Sequence, residues 1–309
     1  MKKLISIVTP LYNEADNVLE LCDRIRRVML SLNFDYEHIC IDNSSTDNTV
    51  AKIKHLASTD NRLKLIVNAR NFGYNRSSYY GILQSKGDAC IMLAADLQDP
   101  PEIIPELIDK WEQGSKIVLA VKNESKESKY MFKLRKMYYR FLGSISEVNL
   151  IENATGAGLY DSEVVKILRE IQVPSPYFRG LLCEIGFPIA TVNFIQPKRR
   201  LGKSSNNLYE LYKVVMLGIT SHSLLPLRLM AIAGFLLSLL SILTALFFII
   251  IKLIFWDQFQ MGIAPIIIGM FFFGAVQTFF MGLIGEYIGS IHIQVKNFPL
   301  VFEKERVNF

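Results

Sequence analysis

The chain has 309 residues, a formal net charge of +5 and a hydrophobic share of 50%, with a mean hydropathy of +0.25. That length accommodates one large domain plus an appendage, and that apolar share is too high for a chain that meets only water. The basic balance suits a domain lying on an anionic membrane surface, although solvated surface charges would give the same total, and no feature points to nucleic acid as a partner.

Apolar runs at residues 4–9, 38–42, 63–68 and 89–95 are each followed by a longer helical pattern, at 14–32, 48–57, 75–85 and 102–113. Runs such as Ile5-Ser6-Ile7-Val8-Thr9 lack polar alternation, which is the pattern of parallel strands covered on both faces. The βαβαβαβα order predicts a doubly wound α/β domain whose ligands bind beyond the carboxyl ends of the strands. No apolar segment of signal-peptide length precedes the first strand. A fifth strand is expected at 117–121. Residues 129–142 interleave Lys and Arg with aromatic and aliphatic residues at helical spacing, which predicts a helix lying at a membrane interface, and 208–220 is a second such segment. Asp161 is placed to cap a helix over 162–171, and Asp47 to cap the one at 48–57.

Charged residues are frequent up to Arg228 and then nearly vanish until Glu286, with only Lys252 and Asp257 between. Residues 229–251 give about 23 positions without a charge and 258–285 about 28, each enough for a helix to cross a hydrocarbon core of about 30 Å. The short connection at 256–260 predicts a hairpin. Lys198, Arg199, Arg200, Lys203 and Arg228 precede the first span, and Lys296, Lys304 and Arg306 follow the second, which places both ends in the cytosol. Small residues in the second span (Gly269, Gly274, Ala275, Gly282, Gly285) allow close helix packing within the hairpin or in a homo-oligomer. Cys22, Cys40, Cys90 and Cys183 stand singly, without a CxxC pair or zinc-like histidine spacing, and are expected to be reduced core residues.

Three strand ends carry polar or acidic clusters: Pro10-Leu11-Tyr12-Asn13-Glu14, Asp42-Asn43-Ser44-Ser45-Thr46-Asp47, and Asp96-Leu97-Gln98-Asp99-Pro100-Pro101. Turn chemistry explains any one of them, but carboxylates at three adjacent sheet exits point to one shared pocket. A carboxylate accepts the imide or hydroxyl hydrogens of a uridine-like nucleoside, an aromatic such as Tyr12 covers its base, and the Asp-x-Gln-Asp run offers hard oxygens to a divalent cation bridging a diphosphate. Such a cation would be the Lewis acid that lets a sugar diphosphate depart. Neither a G-x-G-x-x-G nor a G-x-x-x-x-G-K-[ST] motif is present.

At these residues the sequence resembles the family-2 inverting glycosyltransferases of GT-A fold. Within them it looks like the polyprenyl-phosphate branch, which includes dolichol-phosphate mannose synthase and the bacterial undecaprenyl-phosphate glycosyltransferases. The blocks SIVTPLYNEADNV, IDNSSTDNT, RNFGYNRSSYYGILQSKGD, ADLQDPPEII and RRLGKSSNNLYELY fall in the family's order and spacing. The resemblance implies a GT-A domain over residues 1–200, a basic juxtamembrane segment over 201–228, two transmembrane helices at about 229–255 and 262–285, and a cytosolic tail over 291–309. It implies that Pro10, Tyr12, Glu14, Asp42 and Asp96 hold the nucleotide, that Asp96 and Gln98 ligate Mg²⁺ or Mn²⁺, and that Lys122, Arg199, Lys203 and Ser204 meet donor or acceptor phosphate. The expected reaction is transfer from a UDP-linked sugar to a polyprenyl phosphate at the inner face of a bacterial plasma membrane.

The sequence departs from the family pattern in three places, one of them the basic segment, which ends Ser204-Ser205 where Ser-Lys is usual. Ala94 stands where the metal motif commonly has an aspartate, and Ala157 occupies the usual position of the catalytic base, so no base is named. Two other readings compete with this one. A processive polysaccharide synthase would carry a Gln-x-x-Arg-Trp block, which is lacking, since the only tryptophans are Trp111 and Trp256. A catalytically degenerate membrane scaffold draws on Ala94 and Ala157, whereas Asp42, Asp96, Gln98 and the basic loop favour an enzyme.

Overall fold

The computed structural model describes residues 2–124, 151, 154–171, 173–174, 176–195, 197, 216, 225–255, 263–296 and 298–309. The segments at 129–142, 201–215 and 217–224 lie outside them, as do Arg199, Lys203, Ser204 and the connection at 256–260.

The first half follows the predicted alternation: β1 (Leu4–Leu11), α1 (Val18–Leu30), β2 (Asp35–Asp42), α2 (Thr49–Ala57), β3 (Leu63–Asn68), α3 (Tyr74–Leu83), β4 (Ala89–Met92), then a 3₁₀ turn leading into α4 (Ile104–Glu112). After β5 (Ile117–Glu124) come β6 (Ala154–Asp161), α5 (Ser162–Glu170), α6 (Phe178–Glu184), β7 (Ile189–Ile195), the long helices α7 (Leu225–Ile254) and α8 (Ile263–Val295), and β8 (Glu303–Val307). The eight strands form one sheet in the order β7-β5-β6-β4-β1-β2-β3-β8. Strands β4, β1, β2 and β3 are parallel, while β6 runs antiparallel between β4 and β5 and β8 antiparallel to β3. The mostly parallel α/β sheet is the fold class expected for a GT-A domain.

Burial on both faces explains the strand composition. Ile5, Ile7, Leu11, Cys40 and Leu65 face a core closed by Leu21 and Ile25 of α1, Ile53 of α2 and Leu107 of α4. Val8, Ile39, Ile41 and Ile66 face a second core closed by Tyr79 and Ile82 of α3, Leu168 of α5 and Leu182 of α6. Helix α1 buries Val18, Leu21, Ile25 and Met29, the three- and four-residue spacing of an amphipathic stripe. In α3, Gly81 allows close approach to the sheet, because an added Cβ would lie 2.6 Å from Val8 Cγ1. Tyr79 Oη donates to the Leu168 carbonyl at 2.7 Å and pins α3 to α5. Asp161 caps α5 by accepting from the Glu163 amide at 2.9 Å, as expected, and also takes the Trp111 indole N–H at 2.7 Å.

Helices α7 and α8 contain apolar windows at Leu225–Ile251 and Gly269–Val295, with mean hydropathies of 2.7 and 1.4 and only 0% and 6% of their residues buried. A core helix of a soluble domain would be mostly covered by protein, whereas these two are long and apolar enough to cross a membrane and are almost uncovered among the described residues. Both outrun the expected spans: α7 starts at Leu225, and α8 continues past Gly285 to Val295, nearly three more turns.

The stretch expected to be a tail is instead part of the fold. Strand β8 pairs with β3 from Leu65↔Val307 to Asn68↔Glu303, and the Ala69 amide donates to the Phe302 carbonyl at 2.8 Å. Arg76 donates from Nε to the Leu300 carbonyl and from a terminal nitrogen to that of Pro299. Arg306 reaches Glu303 and Gln84, and Asn308 Nδ2 donates to the carbonyls of Ala57 and Leu63 at 2.8 and 2.9 Å. The five-residue strand Glu-Lys-Glu-Arg-Val has almost no apolar pattern, and its partners are charges and amides distant in sequence, which is why the sequence reading took it for a tail. Replacing Asn308 by Ala removes both side-chain bonds at a residue held at φ 65° and is expected to cost about 1–2 kcal/mol. Hydrogen–deuterium exchange checks this: the amides at 65–69 should exchange faster in Asn308→Ala, and unchanged exchange there would contradict a closed β8 edge.

Candidate nucleotide-binding active site

Parallel order puts the carboxyl ends of β4, β1, β2 and β3 on one edge of the sheet, with neighbouring strands about 4.8 Å apart. Since β5 lies parallel to β4 through the antiparallel β6, Lys122, half-buried near the end of β5, opens on the same edge. Pro10 lies inside β1, buried and in register with Ile41, so it shapes the floor. Tyr12, beyond it, is 43% exposed and free to lie against a flat ring.

The loops after β1 and β2 are joined by side-chain hydrogen bonds. The Asn13 amide donates to Ser45 Oγ at 2.9 Å, the Thr46 amide to Asn13 Oδ1 at 2.8 Å, and the Glu14 amide to Thr49 Oγ1 at 3.0 Å. Asp47 accepts from the Thr49 amide at the start of α2 and from the Ala15 amide across the gap. It is thus a cap, as predicted, and also a tie between loops. Burial acts to raise its carboxyl, but the Thr49 hydroxyl and the amides of Thr49 and Ala15 outweigh it and hold the group below the usual carboxylate range. Glu14 takes the Asn17 side-chain amide on Oε2 at 2.6 Å, which fixes its carboxylate near the start of α1.

Asp42 is fully buried at the last position of β2. Burial pushes its carboxyl above the usual range, although the Ser45 amide at 2.9 Å and the Ser45 hydroxyl at 2.5 Å favour its charged form. A carboxylate with so little water is primed to accept a ligand N–H or O–H in water's place.

After β4, buried Ala95, Leu97 and Asp99 alternate with half-buried Asp96 and Gln98, so the two expected metal ligands are the more exposed residues of this turn. The Gln98 amide donates to Asp96 Oδ1 at 3.1 Å, leaving the Gln98 side-chain amide uncommitted to that turn. Tyr74, at the start of α3, has a half-exposed ring whose hydroxyl sits against Gly156, where an added Cβ would come within 2.6 Å of it. Burial, then the charge of Asp99, with Asp96 adding to them, pushes the Tyr74 phenol up to about 12. It therefore remains a hydrogen-bond donor at the rim at neutral pH.

Three of the four non-glycine residues with positive φ among the described residues lie in these three loops: Asn13 at 55°, Ser44 at 64° and Leu97 at 58°. Left-handed backbone costs about 1–2 kcal/mol per L-residue, and Leu97 has no side-chain hydrogen bond to offset it. One such residue at each exit of β1, β2 and β4 is the clustering seen where backbone is held for function.

Sequence reasoning missed the fourth exit. Asn43 Oδ1 accepts from Asn68 Nδ2 at 3.2 Å and from the Phe72 amide at 2.9 Å, while Asn43 Nδ2 donates to Asn71 Oδ1 at 2.8 Å. This amide network binds the β3 loop to the β2 loop, and the only sequence trace of it is the asparagine in each block. Ala157, at the usual base position, is fully buried in the first core cluster beside Ala120 and Leu159, where a carboxylate would be immersed in aliphatic side chains.

Comparison with known proteins identifies the family. Residues 6–168 match the sequence model described as glycosyl transferase family 2. The chain is 34% identical over 297 residues to an uncharacterised glycosyltransferase of Synechocystis, covering 96% of this chain and 93% of the relative. It is 31% identical over 296 residues to a prophage-derived bactoprenol glucosyl transferase of Shigella flexneri, covering 96% of each. Among solved structures, glucosyl-3-phosphoglycerate synthase of Mycobacterium tuberculosis in complex with phosphoglyceric acid superposes with a TM-score of 0.50 at 20% identity, over 71% of this chain and 78% of that one, a likeness of fold. With a family model spanning more than half of its residues and relatives above 30% identical along nearly its whole length, the chain belongs to glycosyl transferase family 2.

Proposed function

We propose that the protein transfers a sugar from a UDP-linked donor to a polyprenyl phosphate, with inversion at the anomeric carbon, at the cytosolic face of a bacterial plasma membrane. The observation that carries this reading is the single rim formed by the exits of β1, β2 and β4, with buried Asp42 and half-buried Asp96 on it, in a chain that also has two membrane-length helices. The acceptor is suggested by relatives named bactoprenol glucosyl transferases, similar along 96% of this chain.

In this reading Asp42 accepts from the nucleoside base, Tyr12 covers it, and Pro10 and Glu14 shape the pocket between them. Asp96 and Gln98 offer one carboxylate and one amide oxygen, a donor set that fits Mg²⁺ or Mn²⁺ when the remaining positions are filled by substrate phosphates and water. When bound, such an ion neutralises the charge growing on the departing diphosphate. Lys122 faces the acceptor phosphate, joined by Arg199, Lys203 and Ser204 from the loop before the membrane. A phosphate monoester carries about −1.5 to −2 charges at neutral pH, so its oxygen forms the new bond to the anomeric carbon as the bond to the nucleotide diphosphate breaks, and no residue need remove a proton. The buried methyl of Ala157 is compatible with that chemistry. It gives the degenerate-scaffold alternative no separate support.

The chain's return to the sheet bears on topology. Strand β8 hydrogen-bonds to β3 of the domain that precedes α7, and backbone cannot pair across a bilayer. If α7 and α8 both cross, they do so as a hairpin with the domain and the C-terminal strand on one side, in keeping with the basic residues at both ends.

Two outcomes test the assignment. Protein in detergent, given undecaprenyl phosphate, UDP-sugars and Mg²⁺ or Mn²⁺, should form a lipid-linked monosaccharide, and Asp96→Ala should lower that rate by about 100-fold or more with an unchanged melting temperature. Full activity in Asp96→Ala would remove Asp96 from the site. Asp42→Asn should weaken UDP binding about 10-fold or more, as loss of a charge-assisted bond implies, read by calorimetry. Equal affinity in both proteins would mean that the base binds elsewhere.

A further inference from the structure

Of the four cysteines expected to stand singly, Cys22 and Cys40 come together. His38 and Cys40, two residues apart on β2, project from the same face of the strand, and α1 lays Cys22 over them. Cys22 Sγ, Cys40 Sγ and a His38 ring nitrogen all lie within 4.8 Å of one another, the one such group of three His, Cys, Asp or Glu ligand atoms among the described residues. His38 Nε2 is 3.7 Å from Cys40 Sγ and 3.0 Å from Thr9 Oγ1. His38 and Cys40 are buried at 3% and 0% exposure, while Cys22 is half-buried and gives the group its opening to solvent. The surroundings are otherwise aliphatic, with Leu21, Ile25, Ile53 and Leu65 in the same core.

We propose that Cys22, His38 and Cys40 form a site for a thiophilic divalent metal ion, Zn²⁺ by preference, separate from the oxygen-lined rim above it. Geometry is the first argument. Zinc bonds of about 2.3 Å to sulfur and 2.0–2.1 Å to nitrogen set tetrahedral ligand–ligand edges of about 3.5–3.8 Å, and the His38–Cys40 separation already has that length. The other edges need to shorten by at most about 1 Å, within reach of a small torsional change at Cys22. Thr9 supplies an oxygen beside the same imidazole nitrogen for the fourth position, and the opening at Cys22 admits water as the alternative.

Charge selects among soft metals. Two thiolates and a neutral imidazole around a divalent ion sum to zero, whereas a monovalent ion would leave one uncompensated negative charge in an apolar core. Binding balances by releasing to solvent the protons still held on the two sulfurs as two metal–sulfur bonds form. Sulfur and imidazole also discriminate against Mg²⁺ and Mn²⁺, so this site would not compete with Asp96 and Gln98 for their ion. Because Cys40 lies two residues before Asp42 on the same face of β2, a metal clasp between α1 and β2 would brace the floor of the nucleoside pocket. The proposal does not depend on which sugar or acceptor the enzyme uses.

Cobalt titration of the full chain tests it. The protein is purified in detergent with reductant, stripped of metal and titrated with Co²⁺, which reports thiolate coordination by an intense near-ultraviolet charge-transfer band. One equivalent should develop the band, one equivalent of Zn²⁺ should abolish it, and Asp96→Ala should show it at full strength. Cys22→Ser, at a half-buried position, should lose it at least 10-fold while keeping the wild-type circular dichroism, and His38→Asn should lose it likewise. A wild-type protein that shows no band, or a band that survives at full strength in Cys22→Ser or His38→Asn, overturns the proposal.

Discussion

Parallel pairing of β1 between β2 and β4 is the constraint on which the rest of the molecule depends. Strands buried on both faces spend most of their side chains on packing, so the polar clusters open to solvent fall at the ends, and parallel order collects those ends on one edge. Ile5, Ile7 and Val8 are fully buried, yet within a few residues the chain offers Tyr12 and Glu14. The same holds for Ile41 and Asp42. The loops that follow leave backbone groups needing partners, and Asn13, Ser45, Asp47 and Thr49 supply them from across the gap. The β1 and β2 side of the rim is therefore a hydrogen-bonded continuation of the sheet, which explains how it sustains left-handed backbone at Asn13 and Ser44.

The opposite edge of the parallel block shows a second economy. An exposed β3 would present unpaired amides and carbonyls. The chain covers them with its own last strand, which follows α8, and fixes that strand and the residues before it with side chains from α2 and α3. The apolar helices are thus held to the domain at both ends. On the function proposed above, the pocket has to be kept at a defined position relative to the bilayer, and two attachments restrict that position more than one.

The carboxylates of the domain divide by environment. Asp47 and Asp161 are consumed by amides and an indole N–H and serve the fold. Asp42 is desolvated and takes its partners from its own loop, the Ser45 amide and hydroxyl, and Asp96 is half-buried in a turn; these are the two carboxylates to which the proposed function gives a ligand. At Ala157 the fold has closed over the usual base position with a methyl group, which fits an acceptor whose nucleophile is already an anion.

Much of this was legible in the sequence, because hydrophobic periodicity and strand-end polarity are local properties. The four leading βα units, the capping roles of Asp47 and Asp161, the two long apolar helices and the carboxylates at the exits of β1, β2 and β4 all follow from residues close together in the chain. What stayed hidden depends on contacts between distant residues. Strand β8 is a run of charges whose partners lie more than 200 positions away, the Asn43–Asn68–Asn71 network joins two loops, and Cys22 meets His38 and Cys40 only because α1 packs on β2. The sequence by itself determined the elements, the membrane-length helices and the polar residues available for chemistry, since burial pattern and turn preference are written residue by residue. Only the tertiary structure decided which of those residues meet, because side-chain contact depends on strand order and helix docking, which act over distances that no local pattern records.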